Sequence, residues 1–288
     1  MEHKNSLSPS RRAYEITMRA LLYFSAFLTC ALLLFIIGYI CVKGIPGISW
    51  QCLTTEESVL NDTVGIFPAI YNTLFVIFVS LIIVLPLGVG AAIYLTEYAR
   101  NRRLVTAIEF ATETLAGIPS IIYALVGVII FCTALGLEKT LIAGSLTLVI
   151  MTLPTIIRTT QESLKTVPQS YREGSLGLGS GKWHMIRTVV LPSSVDGIVT
   201  GCILAVGRIV GESAVLMYTA GLSTAMQDFS SISEIMKSSG ATLTVALYVY
   251  AKENANFAVA FSIATILLVI TVLINLAASF AGKKLKRG

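Results

Sequence analysis

The chain has 288 residues, of which 55% are hydrophobic and only 13% charged, about half the charge of a soluble domain. Its 21 Lys and Arg and 16 Asp and Glu cannot coat a soluble core of this size, and the same shortage excludes disordered and nucleic-acid-binding classes. The net charge of +5 is informative through its placement, described below.

A bilayer core about 30 Å thick is crossed by about 20 apolar residues in a helix. The first such run, residues 20–42, lies between Arg19 and Lys43. It is too long for a signal-peptide core and lacks a small-residue cleavage site, so it reads as a retained span. The second falls at about residues 69–95 and the third at 114–137. The fourth, 140–157, follows after only Glu138 and Lys139, which predicts a tight hairpin. The fifth, 197–220, is apolar apart from Arg208 and Glu212, and the sixth lies within 254–282. The fold class expected is all-α, a polytopic membrane protein with six transmembrane helices. Residues 1–19 form an N-terminal segment, 20–282 one transmembrane domain with a long loop at 158–196, and 283–288 a basic tail.

Six spans place both termini on one side. That side then carries 16 Lys and Arg and the other 4, so the positive-inside rule sets the termini in the cytoplasm. The five cysteines (Cys30, Cys41, Cys52, Cys132, Cys202) show no paired spacing, and neither His3 nor His184 has metal-ligand neighbours. No metal or cofactor is expected in this chain.

Within the cytoplasmic loop, Pro168 suits the first turn of a short helix over about 168–176. Gly177, Gly179 and Gly181 then end it, and a second amphipathic piece, 182–190, leads to Leu191-Pro192 at the start of the fifth span. The run Gly177-Leu-Gly-Ser-Gly-Lys182 is no phosphate loop. Leu176 stands where the first glycine is needed, Trp183 replaces the Mg²⁺-binding hydroxyl, and no strand precedes it.

The pattern Glu173-Gly-Ser-x3-Gly179-x9-Val189-x-Leu191-Pro192 resembles the EAA signature of ABC-importer permeases, with Gly174 and Ser175 in place of its alanines. The likeness extends over about residues 65–280. Gly65-Ile-Phe-Pro-Ala-Ile-Tyr-Asn-Thr73, Leu85-Pro-Leu-Gly88, Tyr94-Leu-Thr-Glu-Tyr-Ala-Arg100, Leu115-Ala-Gly-Ile-Pro-Ser-Ile-Ile-Tyr123 and Leu153-Pro-Thr-Ile-Ile-Arg158 all look like the phosphate-specific branch, above all its A-type permease subunits. The resemblance implies a type I importer fold in the bacterial inner membrane. Its implied partners are a second related permease chain, two ATPase subunits that bind ATP and Mg²⁺, and an extracytoplasmic phosphate-binding protein. It also implies that Tyr171, Arg172, Glu173, Gly174, Ser175, Gly179, Leu191 and Pro192 couple to the ATPase, through a short helix seated in a groove of that subunit.

Charge inside a span is costly, about 2.5–3.5 kcal/mol per residue on insertion scales. Arg208 and Glu212, four residues apart, share one face of a continuous helix and are expected to pair. One reading is a pair that fixes packing, with Gly207 and Gly211 permitting close helix approach. The other is a polar lining for an anion path, since the arginine fork donates two parallel hydrogen bonds to phosphate oxygens and stays charged. Glu212 would then neutralise Arg208 while no anion is bound. The segment resembles the phosphate permeases' Gly-Arg-x-x-Gly-Glu-Thr-Ala-Pro-Leu, with Val215 replacing the proline that would fix a kink. Arg158 and Glu162 repeat the spacing at the end of the fourth span, as a boundary anchor or a second part of the path. Glu109 and Glu113 read as a solvated or partner-facing helix face.

The function expected is therefore the permease subunit of an ATP-driven phosphate importer, not an enzyme. Sulfate or molybdate as the oxyanion, or the sister permease subunit, are alternatives within that class. An ion-coupled carrier or channel is the alternative from another class, and would predict repeated halves with paired broken helices. Membrane lipid is the remaining partner, and nucleic acid is not one.

Overall fold

The computed structural model describes residues 9–57, 65–225 and 237–287, and every regular element among them is helical. Helix α1 (Pro9–Gly44) starts ahead of the apolar run and carries Arg11, Arg12 and Arg19 in its first turns. After a short 3₁₀ turn comes α2 (Trp50–Thr54), capped by the Ser49 hydroxyl, which accepts from the Cys52 amide at 3.1 Å. The second span is α3 (Phe67–Ile93), extended by a π-helical turn over Tyr94–Tyr98.

The third span departs from expectation. Residues 102–116 form a separate helix, α4 (Arg102–Ala116), and α5 (Ser120–Gly127) with its π-helical continuation Val128–Ala134 leaves it at 100°. The cause is Gly117-Ile118-Pro119: Gly117 closes α4, and Pro119, at φ −58° and ψ 140°, has no N–H to continue it. The expected span over 114–137 therefore begins only at Ser120. Its hairpin to the fourth span holds, with Gly136 and Glu138 both at positive φ.

The fourth span, α6 (Leu141–Thr166), stays helical nine residues past the expected 157, so the loop after it starts at Val167. Two short helices, α7 (Gln169–Gly177) and α8 (Lys182–Met185), follow; α8 runs through a π-helical turn (Ile186–Val190) into α9 (Leu191–Gly211). The π turn lies just before Pro192, whose ring would otherwise press on the carbonyl four residues back. The fifth span is thus not one helix over 197–220: it breaks after Gly211 and resumes as α10 (Ala214–Thr219). Helix α11 (Leu243–Tyr248) and α12 (Phe257–Arg287), the sixth span with the basic tail as its last turn, complete the chain. Among the described residues five helices are long and apolar enough to cross a membrane, and counting the bent α4–α5 pair as one span brings the number to six.

The core joins α3, α5, α6, α9 and α10 through buried Val76, Ile77, Ala124, Leu148, Met151, Val206, Ile209 and Leu216. Small residues set the crossings. A Cβ on Gly88 would stand 2.5 Å from the Ile156 side chain, and one on Gly197 or Gly201 would run into Ser163 or Thr159. The expected small-residue pair, Gly207 and Gly211, packs against nothing within 4 Å. Asn72 Nδ2 donates to the Ala241 carbonyl at 3.0 Å and the Leu243 amide donates to Thr73 Oγ1 at 2.8 Å, which ties α11 into the bundle. Helix α1 touches the bundle only near its end, where Ser262 donates to the Gly44 carbonyl and Thr265 to that of Ile40. These contacts run α1 antiparallel to α12, so the start of α1 lies at the same end of the bundle as the close of α12.

Candidate functional site

Three groups of charged side chains organise the molecule, and the first is the break in the fifth span. Arg208 occupies the last turn of α9, half-buried, where the carbonyl end of the helix favours a cation. Glu212 has left the helix, at φ −87° and ψ 109°. Its carboxylate accepts from the Val215 amide at 3.2 Å and caps α10. The expected Arg208–Glu212 pair does not form, because four-residue spacing brings side chains together only along unbroken helix. Arg208 makes no ion pair among the described residues, and the Tyr123 phenol of α5 lies within its electrostatic reach. Gly207, next to Arg208, and Gly211, three residues on, have nothing within 4 Å of where a side chain would begin, which leaves that stretch of α9 open. A half-buried, unpaired guanidinium beside an interrupted helix can hold an oxyanion. The break also stands without the proline that Val215 replaces.

The second group lies at the far end of α6. Arg158 Nε donates to Glu162 Oε1 at 3.0 Å, as the spacing predicts, and Arg158 also approaches Glu113 at 3.9 Å. Glu109 accepts from Lys165 at 3.1 Å and from Gln161 at 3.3 Å. Glu109 and Glu113 therefore reach α6, Glu113 while staying 62% exposed, and the group lines an open cavity of about 160 Å³. Gly201 of α9 stands opposite Thr159, next to Arg158. Arg208, seven residues further along α9, is thus about 10 Å deeper.

The third group is the loop between α6 and α9. Val167 and Pro168 are extended, Gly179 takes φ +85°, and its amide donates to the Leu176 carbonyl at 2.9 Å, closing α7 as a glycine cap does. Of the three glycines expected to end the helix, only Gly179 does so; Gly177 is its last residue and Gly181 caps α8. Tyr171, Glu173, Gly174, Leu176 and Leu178 are exposed, Leu178 by 91%. Arg172 and Ser175 turn inward. Ser175 and Ser180 share a hydroxyl contact of 2.7 Å across the glycine turn, and Arg172 reaches Glu97 at the end of α3. Leu191 and Pro192 are half-buried in the first turn of α9, away from the exposed face of α7.

Sequence reasoning missed Glu97 and Tyr123 as members of these groups. The signal for Glu97 was present: it is the first charge after the long apolar run of the second span.

Residues 84–287 match the family described as the binding-protein-dependent transport system inner membrane component. A probable ABC transporter permease protein of Bacillus subtilis is 36% identical over 71% of this chain and 70% of its own. A phosphate transport system permease protein of Haemophilus influenzae is 32% identical over 84% and 83%, and one of Mycobacterium tuberculosis 33% over 75% and 69%. Among solved structures, a bacterial alginate ABC transporter in complex with a pentasaccharide-bound periplasmic protein aligns with a TM-score of 0.67 at 15% identity, covering 96% of this chain and 98% of that one. The MetNI methionine ABC transporter, in an inward-facing conformation, aligns at 0.59 and 22% identity, covering 77% and 94%.

Proposed function

The chain belongs to the family of binding-protein-dependent transport system inner membrane components, and from that premise we infer that it is the membrane-spanning permease subunit of an ATP-driven phosphate importer. The observation that carries this reading is the identity with phosphate transport permeases over four-fifths of both chains. The chain holds no nucleotide motif, so the work of transport comes from a partner. Two ATPase subunits bind and hydrolyse ATP, a second related permease supplies the other half of the path, and an extracytoplasmic protein delivers phosphate.

Helix α7 is the element that docks on the ATPase. Tyr171, Glu173 and Leu178 offer a mixed polar and apolar face that suits a groove, and the Gly179 cap fixes its angle. With 16 of 20 loop and tail cations on the side that holds both termini and α7, that side is cytoplasmic. Arg208 is the deeper anion station of the path, and Arg158 with Glu162 its cytoplasmic mouth.

An anion is held at Arg208 by charge-assisted hydrogen bonds and released as closure of the ATPases displaces α7 and the helices packed behind it. Reconstitution of the complex in liposomes tests the whole reading: labelled phosphate should accumulate only with ATP, and excess sulfate should not displace it. Gly179→Val, which strains a left-handed backbone position, should cut uptake at least tenfold while the protein still inserts. Sulfate-sensitive uptake would move the substrate to another oxyanion, and normal uptake by Gly179→Val would remove the docking role of α7.

A further inference from the structure

We propose that Glu97 is a positioning residue that bolts α7 to the ends of the second and fourth spans, so that force applied to α7 reaches α3 and α6 as one block. The proposal rests on the reading of α7 as the ATPase docking element. By covalent connection alone α7 would swivel. It is nine residues long, preceded by an extended Val167-Pro168 and followed by a turn containing Gly179 and Gly181.

The Arg172 side chain removes that freedom. Its Nε and Nη2 donate to Glu97 Oε1 at 3.1 and 2.9 Å. Its remaining donors reach the Leu164 carbonyl at 2.9 Å and the Val167 carbonyl at 2.6 Å. Those carbonyls lie at the end of α6, where the helix dipole favours a cation; the Leu164 carbonyl also accepts from the Val167 amide at 3.3 Å. One guanidinium therefore closes the end of α6 and grips the end of α3 at once. The pair is nearly dry, with 12% of the Arg172 and 6% of the Glu97 side chain exposed, unlike the half-exposed pair of Arg158 and Glu162.

A second fastening comes from beyond the glycine turn. Lys182, the first residue of α8, donates to the Glu97 backbone carbonyl and lies 5.0 Å over the ring of Tyr98. The π-helical turn Tyr94–Tyr98 provides both attachments, because it ends α3 with a bulge that carries Glu97 and Tyr98 to the loop. Helix α7 is thus held on both flanks by a single turn of the second span. Its exposed residues stay free for a partner.

Breaking the bolt separates two quantities that simple loss of folded protein reduces together: phosphate moved and ATP hydrolysed. The test uses the complete importer, both permeases with ATPases and binding protein, in liposomes with labelled phosphate. Glu97→Gln should lower the phosphate moved per ATP about tenfold or more. A lone buried guanidinium could also disturb folding, so Glu97→Leu/Arg172→Met, which leaves no unpaired charge, is the second variant, and its ratio should stay low. Glu97→Asp keeps the charge and should recover part of the ratio. A wild-type ratio in both Glu97→Gln and the double variant would overturn the proposal. If Gly179→Val still uncouples in that case, only the bolt has failed; if Gly179→Val is also normal, the docking reading itself has failed.

Discussion

Two arginine–glutamate pairs in this chain share the same four-residue spacing and end up in opposite states. Arg158 and Glu162 lie within the continuous α6 and meet at 3.0 Å. Arg208 and Glu212 straddle the end of α9, and the glutamate turns away to cap α10 through the Val215 amide at 3.2 Å. Spacing fixes side-chain geometry only as far as the helix continues. Arg208 is consequently left with no carboxylate partner among the described residues, whereas Arg158 keeps two.

The largest effect that can break this comparison is on the unpaired arginine. Arg208→Gln should lower phosphate uptake about 100-fold or more, the loss of roughly 3 kcal/mol expected when one partner of a desolvated charge pair is removed. Arg208→Lys should recover only part, since a point charge cannot donate the planar fork. Uptake measured in reconstituted liposomes decides it; near-normal transport by the glutamine variant would end the assignment of Arg208 to the path.

A smaller effect tests why Glu212 is elsewhere. Val215→Pro removes the amide that holds the carboxylate and lies in the first turn of α10, where proline is tolerated. The freed Glu212 should then compete with phosphate for Arg208 and raise the apparent KM about three- to tenfold. Adding Glu212→Gln should reverse that rise. An unchanged KM would mean that the capping bond does not set the carboxylate's position.

The smallest effect belongs to the pair that does form. The Arg158 and Glu162 side chains are 57% and 63% exposed, and an exposed pair of this kind contributes little. Glu162→Gln should change uptake by less than about twofold and leave the thermal midpoint of the purified complex unmoved. A loss as large as that of Arg208→Gln would make the α6 end the controlling station instead.

Much of the architecture was legible in the chain itself. Run lengths located the apolar spans, and Pro168 with Gly179 gave α7 to within one residue at each end. The resemblance of the Glu173–Pro192 pattern pointed to the family that the chain belongs to. What could not be read were the places where a helix stops inside an apolar stretch. The 100° turn at Gly117–Pro119 and the break at Glu212 both fall within runs that composition treats as continuous. The close-packing glycines were misjudged in the same way. Gly207–Gly211 and Gly197–Gly201 have identical spacing, yet only the second pair faces α6.

The sequence by itself determined that this is a helical membrane protein, because apolar length acts locally and adds up along the chain. Only the tertiary structure decided which charges meet. Glu97 and Arg172 are 75 residues apart, and Glu109 and Lys165 are 56 apart. Such pairs are set by which helix faces pack together, a choice made by the fit of small residues against bulky ones across α3, α6 and α9.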